Sequence, residues 1–124
     1  MAIKFASYNM YGFSNGYSML CHLCQQCDVI LIQEHWLQTS ELQKLGSVDY
    51  NFAYLAVSSM DDKISRGIMY GRPFGGTGIL WRKNLGINVK LIHKDERQDM
   101  RHGFEHFSIY TFAMFHTCIF TLHL

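Results

Sequence analysis

Residues 3–9 alternate apolar and polar in the manner of a half-buried strand. Gly12, Ser14, Asn15 and Gly16 follow and mark a turn. From residue 17 to 26 the spacing predicts a short helix, with Leu20, Leu23, Cys24 and Cys27 recurring at helical intervals. Val29-Ile30-Leu31-Ile32 is a continuous apolar run led by Asp28. Its length and β-branching predict a buried central strand, with Gln33-Glu34-His35 at its carboxyl end. Ser40 and Gln43 have the spacing of a cap for a second short helix. Residues 52–57 predict a third strand, 58–75 a long polar loop and 76–81 a fourth strand. A turn at 84–86 leads to a fifth strand over 87–92. Residues 95–103 are polar, and 104–124 hold one or two further strands.

Strand, helix, strand and then a strand meander predict a mixed α/β layered fold. A sheet flanked by helices on one side needs a second layer on its other apolar face, and 124 residues hardly provide one. The expectation is therefore a sheet face left uncovered, through which copies oligomerise or aggregate.

Composition bounds this picture. The chain is 48% hydrophobic and 17% charged, with one proline, which is globular rather than disordered. Residues 107–124 lack Asp, Glu, Lys and Arg, yet three threonines, a serine and two histidines suit them to strands, not to a membrane helix. The amino terminus has no basic region leading into a long apolar core, so no secretion signal is read. The four cysteines then read as reduced thiols of an intracellular protein, nuclear or cytoplasmic and not secreted. Net charge is +1, but Lys63, Arg66, Arg72, Arg82, Lys83, Lys90 and Lys94 fall in a stretch with no acid. Such a stretch can neutralise phosphates, although taken alone it reads first as a solvated edge.

Asn9 and Glu34 stand out because each ends an apolar strand. If the two strands are parallel neighbours, both side chains emerge at the carboxyl edge of the sheet, where open α/β sheets bind ligands. A carboxylate beside an amide oxygen is a hard-oxygen site suited to Mg²⁺. On spacing alone, a turn at Asn9 and a solvated Glu34 explain the pair slightly better. Cys21, Cys24 and Cys27 have a spacing found in iron–sulfur sites, with His22 as an added zinc-type donor. They fall on the predicted helix with no fourth cysteine at cluster spacing, so they read as core residues.

Three segments carry a resemblance. Ser7-Tyr8-Asn9-Met10-Tyr11-Gly12 resembles the opening strand of the endonuclease/exonuclease/phosphatase family, and Asp28-Val29-Ile30-Leu31-Ile32-Gln33-Glu34 is similar to its Gln-Glu strand. His35-Trp36-Leu37 and Gly71-Arg72-Pro73-Phe74-Gly75-Gly76-Thr77-Gly78-Ile79-Leu80-Trp81-Arg82 resemble the endonucleases of non-LTR retrotransposons in particular. The resemblance implies part of a two-layer or four-layer α/β sandwich, a mixed sheet with flanking helices, that hydrolyses phosphodiesters. It makes Glu34 and Asn9 the catalytic and metal-holding residues, with Mg²⁺ or Mn²⁺ as cofactor. It also implies DNA as the partner and no membrane. Arg66, Arg72, Tyr11 and Trp36 become candidate nucleic-acid contacts.

The chain departs from the family pattern further on. No Asp follows Asp99, and no Asp-His dipeptide occurs anywhere. Asp49-Tyr50-Asn51 spells the family's Asp-x-Asn but precedes the Gly75-Gly76 strand, so it reads as a chance match. His116 and His123 lack a neighbouring carboxylate in sequence. These departures divide the chain into 1–97, the amino-terminal half of such a domain, and 98–124, a divergent tail from truncation or a frameshift. The function expected is an incomplete Mg²⁺-dependent DNA endonuclease module of retrotransposon type. The alternative is a non-catalytic remnant that binds metal or nucleic acid weakly, and the chain alone is expected to be inactive.

Overall fold

The computed structural model describes residues 3–58, 75–93, 107–112 and 117–123, with side chains described as far as Lys90. Strand β1 (Phe5–Asn9) leads through helix α1 (Phe13–Gln26) into β2 (Val29–Gln33). A 3-10 helix (Thr39–Ser47) precedes β3 (Phe52–Val57), and β4 (Thr77–Arg82) follows. A 3-10 turn (Lys83–Leu85) leads to β5 (Asn88–His93), and β6 (Phe107–Phe112) and β7 (Thr117–His123) complete the order. One sheet runs β1-β2-β4-β3 and the other β5-β7-β6. β1 and β2 are parallel, as a strand–helix–strand unit requires, whereas β4 is antiparallel to both β2 and β3.

The period of two in the strands separates two cores. Ile30, Ile32, Leu80 and Phe52 face α1, where Leu20 and Cys24 pack on them and Leu45 of the 3-10 helix closes the cluster. Burial drives the Cys24 thiol up to about 12, with Asp49 and Cys21 adding to the shift. Gly16 brings the helix against β1, since a Cβ there would lie 2.8 Å from the Met10 carbonyl oxygen. Val29, Ile79 and Val57 point the other way and are buried with Ile87, beside Leu31, Leu55 and Val89. The three-stranded sheet lies on that side, β6 over β2 and β4 and β5 beside β3. The expectation of a bare sheet face is thereby corrected for β2, β4 and β3. β5, β6 and β7 supply the second layer, while on β1 Phe5, Ser7 and Asn9 stay exposed.

Two local expectations also change. The helix begins at Phe13, one turn before the predicted Tyr17, because the reversal is made by Tyr11 and Gly12 at φ 51° and 93°. The 3-10 helix is capped by Gln38 and Glu41, not by Ser40 and Gln43. Glu41 accepts the Gln38 backbone N–H at 3.2 Å and pairs with Lys44 at 2.8 Å. Arg82 ties the far end of the sheet to α1. It donates to the carbonyls of Cys24 and Cys27 at 2.9 Å each and pairs with Asp28 at 3.3 Å. Among the described residues no helix is long and apolar enough to cross a membrane.

Candidate functional site

The parallel register sets Asn9 opposite Gln33, so Asn9 and Glu34 leave adjacent strands at the same carboxyl edge. β4 enters from that edge with Thr77 opposite Gln33, which brings Gly75 and Gly76 beside Glu34. The segment Glu34-His35-Trp36 is then laced on both sides. Gly12 and Phe13 donate their backbone N–H groups to the carbonyls of Glu34 and His35 at 2.8 Å. On the other side, Glu34 and Trp36 donate to the carbonyls of Gly76 and Gly75 at 2.7 and 3.0 Å.

Backbone strain gathers here. Tyr11, Glu34 and Trp36, at φ 51°, 58° and 61°, are the non-glycine residues with positive φ among the described residues. Each costs of order 1–3 kcal/mol and persists only where surrounding structure over-determines it, a condition that recurs at ligand sites. The lacing supplies that determination for Glu34 and Trp36.

The Glu34 carboxylate is held as firmly as its backbone. Its Oε2 accepts the Trp36 indole N–H at 2.8 Å and the Gly75 backbone N–H at 2.7 Å. Its Oε1 accepts no hydrogen bond among the described residues. Asn9 Oδ1 accepts the Tyr11 backbone N–H at 3.1 Å, an Asx turn that aims the amide oxygen back toward the strand end. Gln33 Nε2 donates to Ser7 Oγ at 3.2 Å and ties β2 to β1 just below.

His35 is fully buried. Its Nδ1 accepts the Leu37 N–H at 2.9 Å, so the proton sits on Nε2 and is donated to the Val57 carbonyl, also at 2.9 Å. Burial lowers its pKa. Hydrogen bonding to the Val57 and Thr77 backbones and the Glu34 charge oppose that shift. With both ring nitrogens occupied, His35 holds the site together and does not act as a base. A Cβ on Gly76 would fall 2.3 Å from its ring, and one on Gly12 would fall 2.4 Å from the Trp36 ring.

The candidates separate as follows. Asn9, Glu34, Tyr11 and Trp36 come together at one edge, with Tyr11 61% exposed and its ring accessible. Arg66, Arg72 and His116 lie outside the described residues. His123 ends β7, in register with Asn88 of β5. Asp49-Tyr50-Asn51 forms an Asx turn, Asn51 donating its N–H to Asp49 Oδ1 at 2.8 Å, at the opposite end of β3 from Glu34. A cavity of about 460 Å³ lined by Tyr50, Asn51, Arg82, Lys83 and Asn84 lies at that same far end, where Arg82 is already committed to α1 and Asp28. It is therefore separate from the edge that holds Asn9 and Glu34. Sequence reasoning passed over His35 as a pin with Gly76 against its ring, Gly12 under Trp36 and Gly75 as a donor to Glu34. The Val57 carbonyl that His35 meets lies 22 residues on, and Gly75 reaches Glu34 from 41 residues away, both beyond any local pattern.

Among the described residues no three His, Cys, Asp or Glu side chains gather closely enough to hold a metal by themselves. A Mg²⁺ site needs less than that, because the ion keeps several waters and takes one or two carboxylates. One carboxylate oxygen and one amide oxygen at neighbouring strand ends fit it in donor type.

A family model describing the endonuclease/exonuclease/phosphatase family matches residues 6–119, and no curated protein matches the chain. The chain belongs to the endonuclease/exonuclease/phosphatase family.

Proposed function

We propose that this family member carries the metal-holding side of a phosphodiesterase centre, built on Glu34 and Asn9, and that its substrate is DNA, as in the endonucleases of non-LTR retrotransposons. The observation that carries this reading is the Glu34 carboxylate, restrained through Oε2 by two N–H donors beside the Asn9 amide at the next strand end. Members of the family typically use a divalent metal. A bound Mg²⁺ or Mn²⁺ supplies charge neutralisation at the phosphate and stabilisation of the leaving oxygen.

The chain's own groups hold and orient. Glu34 offers Oε1, which accepts no hydrogen bond among the described residues, and Asn9 adds a neutral oxygen donor. Tyr11 offers an exposed ring on which a base can stack. Part of the Trp36 ring lies against Gly12, so its contact with substrate is limited to the remaining surface. Arg66 and Arg72 supply phosphate contacts from the basic stretch. That stretch, and the Gly71-Arg72-Pro73 segment within it, favour nucleic acid over lipid or inositol phosphates.

A second reading, binding without turnover, is favoured by one specific feature. These 124 residues contain no Asp-His pair, and His35 has both nitrogens engaged. A missing base alone removes ~10² to 10⁴ in rate. The test is Mn²⁺ titration with plasmid nicking, on the wild type and Glu34→Gln. Mn²⁺ binding lost in Glu34→Gln supports the metal-holding role, and unchanged binding refutes it. Nicking lost in Glu34→Gln would refute the second reading and make His116 and His123 the first residues to mutate.

A further inference from the structure

Trp36 sits two residues past Glu34, in a left-handed conformation that an aromatic residue adopts only under constraint. That conformation turns the side chain back on its own strand end, and the indole Nε1 reaches Glu34 Oε2 at 2.8 Å. The ring is seated on Gly12, where any side chain would collide with it, so residue 12 is kept bare by the same arrangement. Gly75 completes the grip, its N–H meeting the same carboxylate oxygen at 2.7 Å from 41 residues away. Both donors converge on Oε2 and none of the described residues occupies Oε1.

We propose that Trp36 is a positioning residue: its indole N–H, with the Gly75 backbone N–H, fixes one oxygen of Glu34 and turns the other toward a divalent cation. The inference rests on Glu34 being a cation ligand, as argued above. Donors behind a ligand set its orientation, and removing such a partner typically weakens metal affinity by about 10–100-fold. Glu34 and Trp36 both take positive φ under the backbone bonds that lace them, and in that conformation the indole N–H meets the carboxylate. The bond leaves an aromatic ring at the site, but the group that acts on Glu34 is the N–H.

The experiment pairs metal titration with an NMR signal of the bond itself. Mn²⁺ affinity is measured for the wild type, Glu34→Gln, Trp36→Phe and Trp81→Phe, the last removing the other tryptophan, near the opposite end of the sheet. The expected result is binding abolished in Glu34→Gln, weakened about 10–100-fold in Trp36→Phe and unchanged in Trp81→Phe. In parallel, the ¹⁵N–¹H indole resonance of Trp36 is followed in ¹⁵N-tryptophan-labelled wild type and Glu34→Gln. It is expected to move upfield in Glu34→Gln without any metal, and to shift in the wild type as Mg²⁺ is added. If Glu34→Gln abolishes binding but Trp36→Phe binds like the wild type, the positioning role is overturned and the metal reading stands. If Glu34→Gln binds like the wild type, both fall. Should Trp36→Phe fail to fold, the resonance decides: an indole signal indifferent to Glu34→Gln overturns the proposal.

Discussion

Gly76→Ala is expected to be among the most damaging single-methyl additions in this protein, and the structure separates its two causes. Gly76 has φ 92°, a conformation that costs an L-residue of order 1–3 kcal/mol. The new Cβ would also lie 2.3, 2.6 and 2.7 Å from three atoms of the His35 ring. His35 cannot retreat without giving up the Val57 carbonyl and the Leu37 N–H, both met at 2.9 Å in a fully buried setting. Leaving one buried partner unsatisfied costs about 1–3 kcal/mol. The sum is about 2–6 kcal/mol, a large part of the ~5–15 kcal/mol typical of a whole domain. Gly86 is the matched control, with φ 66° and nothing within 4 Å of an added Cβ, so Gly86→Ala carries only the backbone cost of about 1–2 kcal/mol. Urea unfolding followed by tryptophan fluorescence measures both. The two variants then differ by the clash share of about 1–3 kcal/mol, and at a slope of about 1–3 kcal/mol per molar the Gly76→Ala midpoint falls roughly 1 M below that of Gly86→Ala. In a His35→Ala background the clash is gone, and Gly76→Ala should cost only its backbone share, a coupling that a double-mutant cycle reads directly. Equal midpoints for the two glycine variants, or additive losses in the cycle, would refute the claim that His35 is pinned against Gly76.

Two further outcomes follow from the charged and thiol groups. The Lys4 backbone N–H, and then Arg82, hold the Asp28 carboxyl below its usual range. A depressed folded-state pKa contributes stability that is present above the unfolded value of about 3.9 and is lost as pH falls through the folded one. Asp28→Asn should therefore flatten the acid limb of a melting-temperature profile below about pH 4 and lower stability near neutrality. An unchanged acid limb would show that this network does not set the acid sensitivity. Cys24, buried and pushed up to about 12, should stay unlabelled by a thiol reagent at mildly alkaline pH while the protein is native and label fully in denaturant. Mass spectrometry reads the site, and prompt native labelling of Cys24 would contradict its place in the core.

Much of the amino-terminal layer was legible in the residue pattern, for a physical reason. Whether residues 29–33 form a buried strand depends on local β-branching and apolarity. The parallel pairing of β1 with β2 follows from the helix between them. Hence, once β1 and β2 pair in parallel, Asn9 and Glu34 fall side by side. The helix start was misplaced because Gly12 and Tyr11, not the Ser14-Asn15-Gly16 cluster, make the turn, and a left-handed Tyr11 has no composition signal. The second sheet was underestimated because aromatic-rich strands in 107–123 do not announce which face of which sheet they will cover.

The amino-acid sequence by itself determined the strand-ending amide and carboxylate, the helix that joins their strands and the likeness to a family. Tertiary structure alone decided how the carboxylate is aimed. The Gly75 N–H reaches Glu34 from 41 residues away, and His35 finds Val57 across 22. The positive φ of Glu34 and Trp36 is unfavourable taken residue by residue and is imposed by hydrogen bonds from β4 and the β1–α1 turn. Local preference sets which residues end a strand. Only contacts between distant segments can hold a strand end in a conformation that its own residues disfavour.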